Sequence, residues 1–157
     1  MARRPGTPRG VPPMNPAPMP ERPDEAMNRV QLSFGLLIFA QVVHSLEEYV
    51  GRLWESFPPA YFLTGLVSED RELGFLVLNV ALVTFGVWCY LWPVSRRWRS
   101  AGGIALGWAL LELVNGVGHM LWALRQGSYW PGFATAPLLV VLALVLLRRL
   151  RTTAANG

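Results

Sequence analysis

Four long apolar stretches constrain this chain more than any other feature. They cover residues 30–50, 73–92, 101–124 and 131–147. A helix rises about 1.5 Å per residue, so about 20 apolar residues cross a hydrocarbon layer roughly 30 Å thick. The chain is also 52% hydrophobic and only 15% charged, unlike a soluble domain of its size. The sequence therefore predicts an all-α integral membrane protein, a four-helix bundle whose membrane domain covers 29–150.

The two ends of the chain have a different composition. Residues 1–28 are rich in proline and arginine and contain no apolar core of the kind that a cleavable signal needs. This composition predicts a disordered cytoplasmic tail. Residues 151–157 are predicted to form a second, shorter cytoplasmic tail.

The distribution of arginine predicts how the helices are oriented. All 14 basic residues are arginine, and most lie in the two tails or in the segment after the second stretch. Those residues are Arg3, Arg4, Arg9, Arg22, Arg29, Arg96, Arg97, Arg99, Arg148, Arg149 and Arg151. Because cytoplasmic segments carry an excess of basic residues, we expect both termini in the cytoplasm, in a bacterial inner or plasma membrane, with 51–72 and 125–132 outside.

The same distribution bears on partners. The arginines adjoin apolar runs and form no basic patch on a soluble face, so no nucleic-acid partner is expected. The single cysteine, Cys89, excludes an intrachain disulfide, and a cysteine-based metal site is not expected. The expected partners are the lipid bilayer, a lipid-like small molecule and, as a further candidate, a second copy of the chain. Gly103 and Gly107, in a GxxxG spacing, would suit such close packing.

The sequence HSLEEY places His44, Glu47 and Glu48 at the end of the first apolar stretch. One interpretation is that the membrane span ends before His44 and leaves all three in water. However, 30–43 would form only about 21 Å of helix, too short for the layer unless the bilayer thins. We therefore favour a helix that continues through the motif within the membrane.

Helical geometry brings these polar residues to one face. Successive residues turn by about 100°, so Glu47 and Glu48 lie within about 60° of His44, on opposite sides of it. Gln41 extends the face by one turn. Ionisable groups on one side of a membrane helix usually face the protein interior, where they pair, bind an ion or relay protons.

A second polar face follows in the third stretch. Glu112, Asn115 and His119 are spaced i, i+3 and i+7, which also places them within about 60° of one another. Counted from the outer ends of their stretches, His44 and His119 lie at the same depth, and Asn79 of the second stretch reaches the same layer. The sequence thus predicts a polar pocket in the outer half of the membrane, with the fourth stretch as an apolar wall that offers only Thr135.

Imidazole and carboxylate groups in one pocket are the ligands that Zn, Fe or Mn bind in proteins. The first hypothesis is therefore a metal-dependent enzyme that acts on a lipid-like or apolar substrate. In it His44, Glu48 and His119 are the metal ligands, and Glu47 and Glu48 are catalytic, with Glu47 as general base or fourth ligand. The predicted second shell consists of Asn115, Glu112, Gln41 and Asn79.

Two alternatives to a metal-dependent enzyme use the same residues. A glutamate in an apolar pocket beside a histidine can move protons, as in the isomerisation of a sterol-like or polyprenyl-like lipid. The polar residues can instead serve a non-catalytic protein that binds or transports an ion or ligand, or a scaffold in which they pair internally.

HSLEEY, together with NGVGH in the third stretch and YWPGFATA before the fourth, resembles the HXXEE-motif membrane proteins. The resemblance covers about residues 30–147. It implies a multi-span membrane protein whose signature corresponds to His44, Glu47 and Glu48. The family has no established activity, so the resemblance implies no substrate.

Overall fold

The computed structural model describes residues 23–155, which form six α-helices and one short π-helical segment. Most of the predicted N-terminal tail and the last two residues of the chain lie outside the described residues. The first helix begins at Pro23, before the predicted boundary of the tail. The helices are α1 (Pro23–Val50), α2 (Leu53–Ser56), α3 (Pro58–Val67), α4 (Arg71–Cys89), α5 (Ala101–Gln126) and α6 (Ala136–Ala155); the π-helical segment is Tyr90–Val94.

Three stretches of helix are long and apolar enough to cross a membrane. They are Asp24–Val50 in α1, Arg71–Val94 in α4 with its π-helical continuation, and Ala101–Gln126 in α5. The prediction of an all-helical chain with membrane-spanning helices agrees with this for the described residues. The predicted fourth span is not among the three. Residues 131–135 form turns, and α6 begins only at Ala136, twelve residues before the first arginine of its basic end.

The long helices do not pack as an even four-helix bundle. Helix α6 packs along α5 and α1, and these three share a core that includes Phe34, Trp108 and Leu139. Helix α4 packs on α1 and α3 rather than along α5. Its contact with α5 is made by side chains, where the rings of Phe85 and Trp108 lie 6.0 Å apart. A gap between α4 and α5 therefore remains beyond this contact.

The helix boundaries follow from local chemistry. The Asp70 carboxylate accepts hydrogen bonds from the backbone N–H groups of Glu72 and Leu73 and so caps the start of α4. Helix α5 ends at Gly127, whose φ of 65° is left-handed and suits glycine. Pro93 lies within the π-helical segment, where it removes one backbone donor and interrupts the α-helical pattern.

The segment between α1 and α4, which the sequence left without a structure, folds into α2 and α3. Helix α3 lies against α4, where a methyl group on Gly74 would be 2.3 Å from the Thr64 carbonyl oxygen. Phe57, between the two short helices, packs its ring 5.9 Å from that of His119. We call the end of the molecule that carries α2, α3 and residues 127–135 the site end, and the opposite end, with Arg96, Arg97 and Arg148, the arginine-rich end.

Candidate metal centre

His44, Glu48 and His119 lie in contact at the site end, and all three are buried. The Nε2 atom of His119 is 2.9 Å from Oε1 of Glu48, and the Nε2 atom of His44 is 3.3 Å from the same oxygen. The two imidazole rings are nearly perpendicular, with centroids 4.8 Å apart. Helix α1 supplies His44 and Glu48 one turn apart, and α5 supplies His119 from the facing side.

The hydrogen bond of His119 to the backbone determines which ring nitrogen carries its proton. Nδ1 of His119 is 2.8 Å from the carbonyl oxygen of Pro131. A carbonyl oxygen only accepts, so Nδ1 must donate. In the neutral ring Nε2 then has no hydrogen, and its lone pair faces Glu48.

His44 has the same arrangement through a side chain. Its Nδ1 is 2.7 Å from Oγ1 of Thr135, and that hydroxyl donates to Oε2 of Glu47 at 2.6 Å. A hydroxyl has one hydrogen, so Thr135 accepts from Nδ1 of His44. The Nε2 atom of neutral His44 therefore also carries a lone pair and no hydrogen, and it has no hydrogen-bond partner among the described residues.

The Nε2 atoms of the two histidines and Oε1 of Glu48 therefore lie close together, each with a lone pair and none with a hydrogen atom to share. The ligand atoms of these three residues all lie within 4.8 Å of one another. Two ligands of a tetrahedral Zn²⁺, each about 2.1 Å from the ion, would be about 3.4 Å apart. The two distances from Oε1 of Glu48 to the histidine nitrogens, 2.9 and 3.3 Å, are near this value. Histidines that bind a metal commonly donate their other N–H to a carbonyl or to a hydrogen-bonded group. The residues therefore fit a divalent cation.

Glu47 lies beside this group but serves a different purpose. Its carboxylate accepts four hydrogen bonds from residues that precede α6: from the hydroxyls of Tyr129 and Thr135, both at 2.6 Å, and from the backbone N–H groups of Ala134 and Thr135, at 3.0 and 2.9 Å. Four donors occupy the lone pairs of both oxygens. Glu47, which the sequence assigned as general base or fourth ligand, thus binds the segment 127–135 in this structure.

Gly132 allows this segment to approach the histidines. Its φ is 87°, a left-handed conformation that side chains disfavour. A methyl group added there would lie 2.5 Å from Nδ1 of His119 and 2.9 Å from Cε1 of His44. Only glycine fits between the two rings and the backbone that orients them.

A cavity of about 380 Å³ adjoins the three residues. Glu48 and His119 form part of its wall, together with the predicted second-shell residues Gln41, Asn79, Glu112 and Asn115. Apart from Thr64 of α3, the rest of the wall is apolar. It consists of Leu53, Phe57, Pro59, Ala60 and Leu63 from the segment of α2 and α3, Phe75, Leu78 and Leu82 from α4, and Leu111 and Val114 from α5.

The second-shell residues link the helices around the cavity. Glu112 is fully buried, and the Gln41 amide, oriented so that both of its ends have partners, donates to Oε2 of Glu112 at 2.6 Å. Ser45 donates to Oδ1 of Asn79 at 2.7 Å, which connects α1 to α4. Asn115 is half-buried one turn from Glu112.

Residues 35–147 match a family described as a protein of unknown function with HXXEE motif. This chain belongs to the HXXEE family. Its signature residues are His44, Glu47 and Glu48, and no solved structure matches the chain.

A curated relative of this HXXEE protein carries a functional name. The two sequences are 31% identical over 106 residues, and the relative is named cytidylyl-2-hydroxypropylphosphonate hydrolase, from Streptomyces wedmorensis. The match covers 62% of this chain and 45% of the relative, so the chain spans less than half of the relative's length.

The structure gives separate tasks to the two adjacent glutamates of the HXXEE signature. Glu48 contacts both histidines, whereas Glu47 binds the segment that orients those histidines. Sequence reasoning named Thr135 as the only polar residue that the fourth stretch offers but gave it no role, and it did not identify Gly132 or Pro131. The available signal was the stretch YWPGFATA, which supported the resemblance to the family but has no helical periodicity from which contacts could be inferred.

The bond between Tyr129 and Glu47 generates a prediction about pH. The hydrogen bond to the Glu47 carboxylate, with partial burial and the carboxylate charge, raises the pKa of Tyr129 from 10.0 to about 12. A raised pKa stabilises the protonated form, so its contribution to folding is complete below about pH 10 and is lost as pH rises through about 12. We expect Glu47→Gln to lower the pKa of Tyr129 towards 10, measured as the tyrosinate absorbance that is absent from Tyr129→Phe. An unchanged pKa in Glu47→Gln would show that this bond does not form.

Gly132→Ala should displace the histidine rings. We expect it to weaken Zn²⁺ binding by about 10- to 100-fold, the effect of disturbing groups that orient metal ligands. Gly127→Ala is the matched control, because Gly127 also has a positive φ but has open space where its Cβ would lie. Both variants should lose about 1–2 kcal/mol of stability from backbone strain, and Gly132→Ala should lose more because its methyl group also contacts the histidine rings. Equal Zn²⁺ affinity in the two variants, measured by competition with a chelating dye, would contradict the placement of Gly132.

Proposed function

We propose that this HXXEE protein is a metal-dependent membrane hydrolase whose metal is held by His44, Glu48 and His119. The observation that carries the proposal is the convergence of both Nε2 atoms on one Glu48 oxygen, while each Nδ1 donates to an acceptor of the segment 127–135. An internal ion pair would need a proton on Nε2 of each ring and so two buried imidazolium groups beside one carboxylate. A single divalent cation satisfies all three groups at once.

The chain's own residues suggest how the work is divided. A bound Zn²⁺, Fe²⁺ or Mn²⁺ would supply a Lewis acid and lower the pKa of a bound water towards neutrality. Glu48 and the two histidines hold that position, and Glu47 maintains the geometry by fixing Thr135. Glu112 reaches the same cavity from α5 and is placed to exchange a proton with the reacting group. Asn79 and Asn115 offer amides to the polar part of a substrate.

The cavity supports a substrate with an apolar tail. It has polar groups beside the proposed metal ligands and is otherwise largely apolar, and its mouth between α3, α4 and α5 is formed by Leu63, Leu111 and Val114, which are exposed on the surface of the helices. In a bilayer this surface faces hydrocarbon. An amphipathic molecule could therefore enter sideways, with its tail between α4 and α5 and its head at Glu48. The hydrolase name of the partial relative supports hydrolysis at a phosphate or phosphonate group in that head.

The proposal includes an arrangement in the membrane. Helix α6 would accompany α1, α4 and α5 as a fourth helix, with Arg148, Arg149 and Arg151 at the lipid headgroups. Under the positive-inside rule the arginine-rich end then faces the cytoplasm, and the site lies in the outer half of the bilayer.

Metal content tests the centre directly. We expect the full-length protein, purified in detergent without chelators and supplied with Zn²⁺, Fe²⁺ or Mn²⁺, to retain about one metal ion per chain by mass spectrometry. His44→Ala and His119→Ala should each weaken binding by at least about 100-fold, since removal of a ligand exceeds a second-shell change. Glu112→Gln is the control, because it alters the cavity but no proposed ligand. Wild-type protein without metal above background would refute the proposal and favour internally paired residues.

A chromogenic substrate tests the reaction and the route of entry. We expect the metal-loaded protein to hydrolyse p-nitrophenyl phosphodiesters, with a higher kcat/KM for a dodecyl than for a butyl ester, because only the longer tail fills the apolar cavity. Val114→Trp should remove this preference while metal content stays unchanged, and His119→Ala should abolish both activities. Failure to cleave either ester in a protein that does bind metal would reject hydrolysis but leave the metal centre in place.

A further inference from the structure

A second cavity lies at the arginine-rich end, at the far end of α1 and α6 from the proposed metal centre. Its volume is about 470 Å³. It is lined by Ala26 and Arg29 of α1 and by Val145, Arg148, Arg149, Thr152 and Thr153 of α6. Three of these lining residues are arginines, and none is a carboxylate.

Arg149 is held in place by the facing helix. Its Nη1 donates to the carbonyl oxygen of Arg29 at 2.7 Å and to Oγ of Ser33 at 2.5 Å. These two bonds use both N–H groups of Nη1 and hold the guanidinium in one orientation. Arg148 is exposed beside it, and within residues 23–155 no carboxylate forms an ion pair with either arginine. Planar guanidinium groups held in this way bind phosphate oxygens in pairs.

The position of the cavity along the helix matches the level of lipid headgroups. Arg29 precedes Val50 by 21 residues, which is about 31 Å of helix and close to the thickness of the hydrocarbon layer. One and two turns further into the membrane, Leu144 and Val141 on α6 are exposed apolar side chains. Acyl chains could lie along them while the headgroup stays at the arginines.

We infer that this cavity binds the phosphate of an anionic phospholipid, with Arg148 and Arg149 as its main ligands and the surface of α6 as the contact for the acyl chains. The apolar surface that continues from the cavity favours a lipid over free phosphate. Basic pockets between membrane helices are known to suit such headgroups. This site is independent of the proposed hydrolase function, because it shares no residue with the metal centre.

Native mass spectrometry of the full-length protein tests the inference. In micelles that contain equal amounts of phosphatidylglycerol and phosphatidylcholine, we expect retained phosphatidylglycerol to exceed phosphatidylcholine. Arg148→Gln should lower that retention by about five-fold, and the Arg148→Gln/Arg149→Gln double variant should lower it further. Arg96→Gln/Arg99→Gln is the matched control: it removes the same charge at the same end but no residue of the cavity, so it should retain the lipid.

Three results would overturn the inference. Equal loss of phosphatidylglycerol in the two double variants would indicate a general attraction of charge rather than a site. Equal retention of the two lipids by wild-type protein would exclude recognition of the anionic headgroup. In a separate arm, inorganic phosphate is added to the lipid-bound protein as the only competitor. Displacement of the lipid by millimolar phosphate would identify free phosphate as the ligand. Because Arg149 also joins α1 to α6, the single Arg148→Gln variant tests the site even if the double variant fails to fold.

Discussion

The centre depends on the bonds that fix Nδ1 of each histidine. His119 donates to the Pro131 carbonyl and His44 to the Thr135 hydroxyl, and both acceptors belong to the short segment between α5 and α6. That segment forms turns, with backbone hydrogen bonds such as that from the Phe133 N–H to the Trp130 carbonyl, and no regular helix or strand. Its position comes from the four hydrogen bonds that Glu47 accepts, so a carboxylate that touches neither histidine determines where the two imidazoles point.

This arrangement gives a physical reason for two adjacent glutamates in the signature of the family. Neighbouring residues on a helix point about 100° apart, so one helix can direct one carboxylate at the histidines and the next at the segment beside them. Glu48 and Glu47 do this in α1 of this chain. A single glutamate could not reach both, and two glutamates one turn apart would both face the same side.

Helical periodicity predicted the faces of the molecule that form the cavity. The spacing of His44, Glu48 and Gln41 in one stretch and of Glu112, Asn115 and His119 in another was sufficient to expect two facing polar sides, and depth counting placed the two histidines level. Helical periodicity could not predict the contacts of Thr135 and Gly132. These residues lie in turns, which have no repeating pattern of side-chain directions, so their contacts depend on long-range packing. The sequence assigned Glu48 as a ligand and Glu47 as a general base or fourth ligand, but it did not predict the bonds of Glu47 to residues 129–135, because those residues have no periodicity from which contacts could be inferred.

The long separation in sequence between the partners of the centre has a consequence for biosynthesis. His44 and Thr135 are 91 residues apart, and Glu47 and Thr135 are 88 apart. When the first helix enters the bilayer, its imidazole and both carboxylates have no partners yet, and ionisable groups in that position are costly. They must be sheltered, or remain near the interface, until the third long helix and the turns after it have been made. Insertion of α1 is therefore expected to be the least favourable step in the assembly of this chain. The inserted helix is expected to become stable once the turns before α6 supply the hydrogen-bond partners of His44 and Glu47.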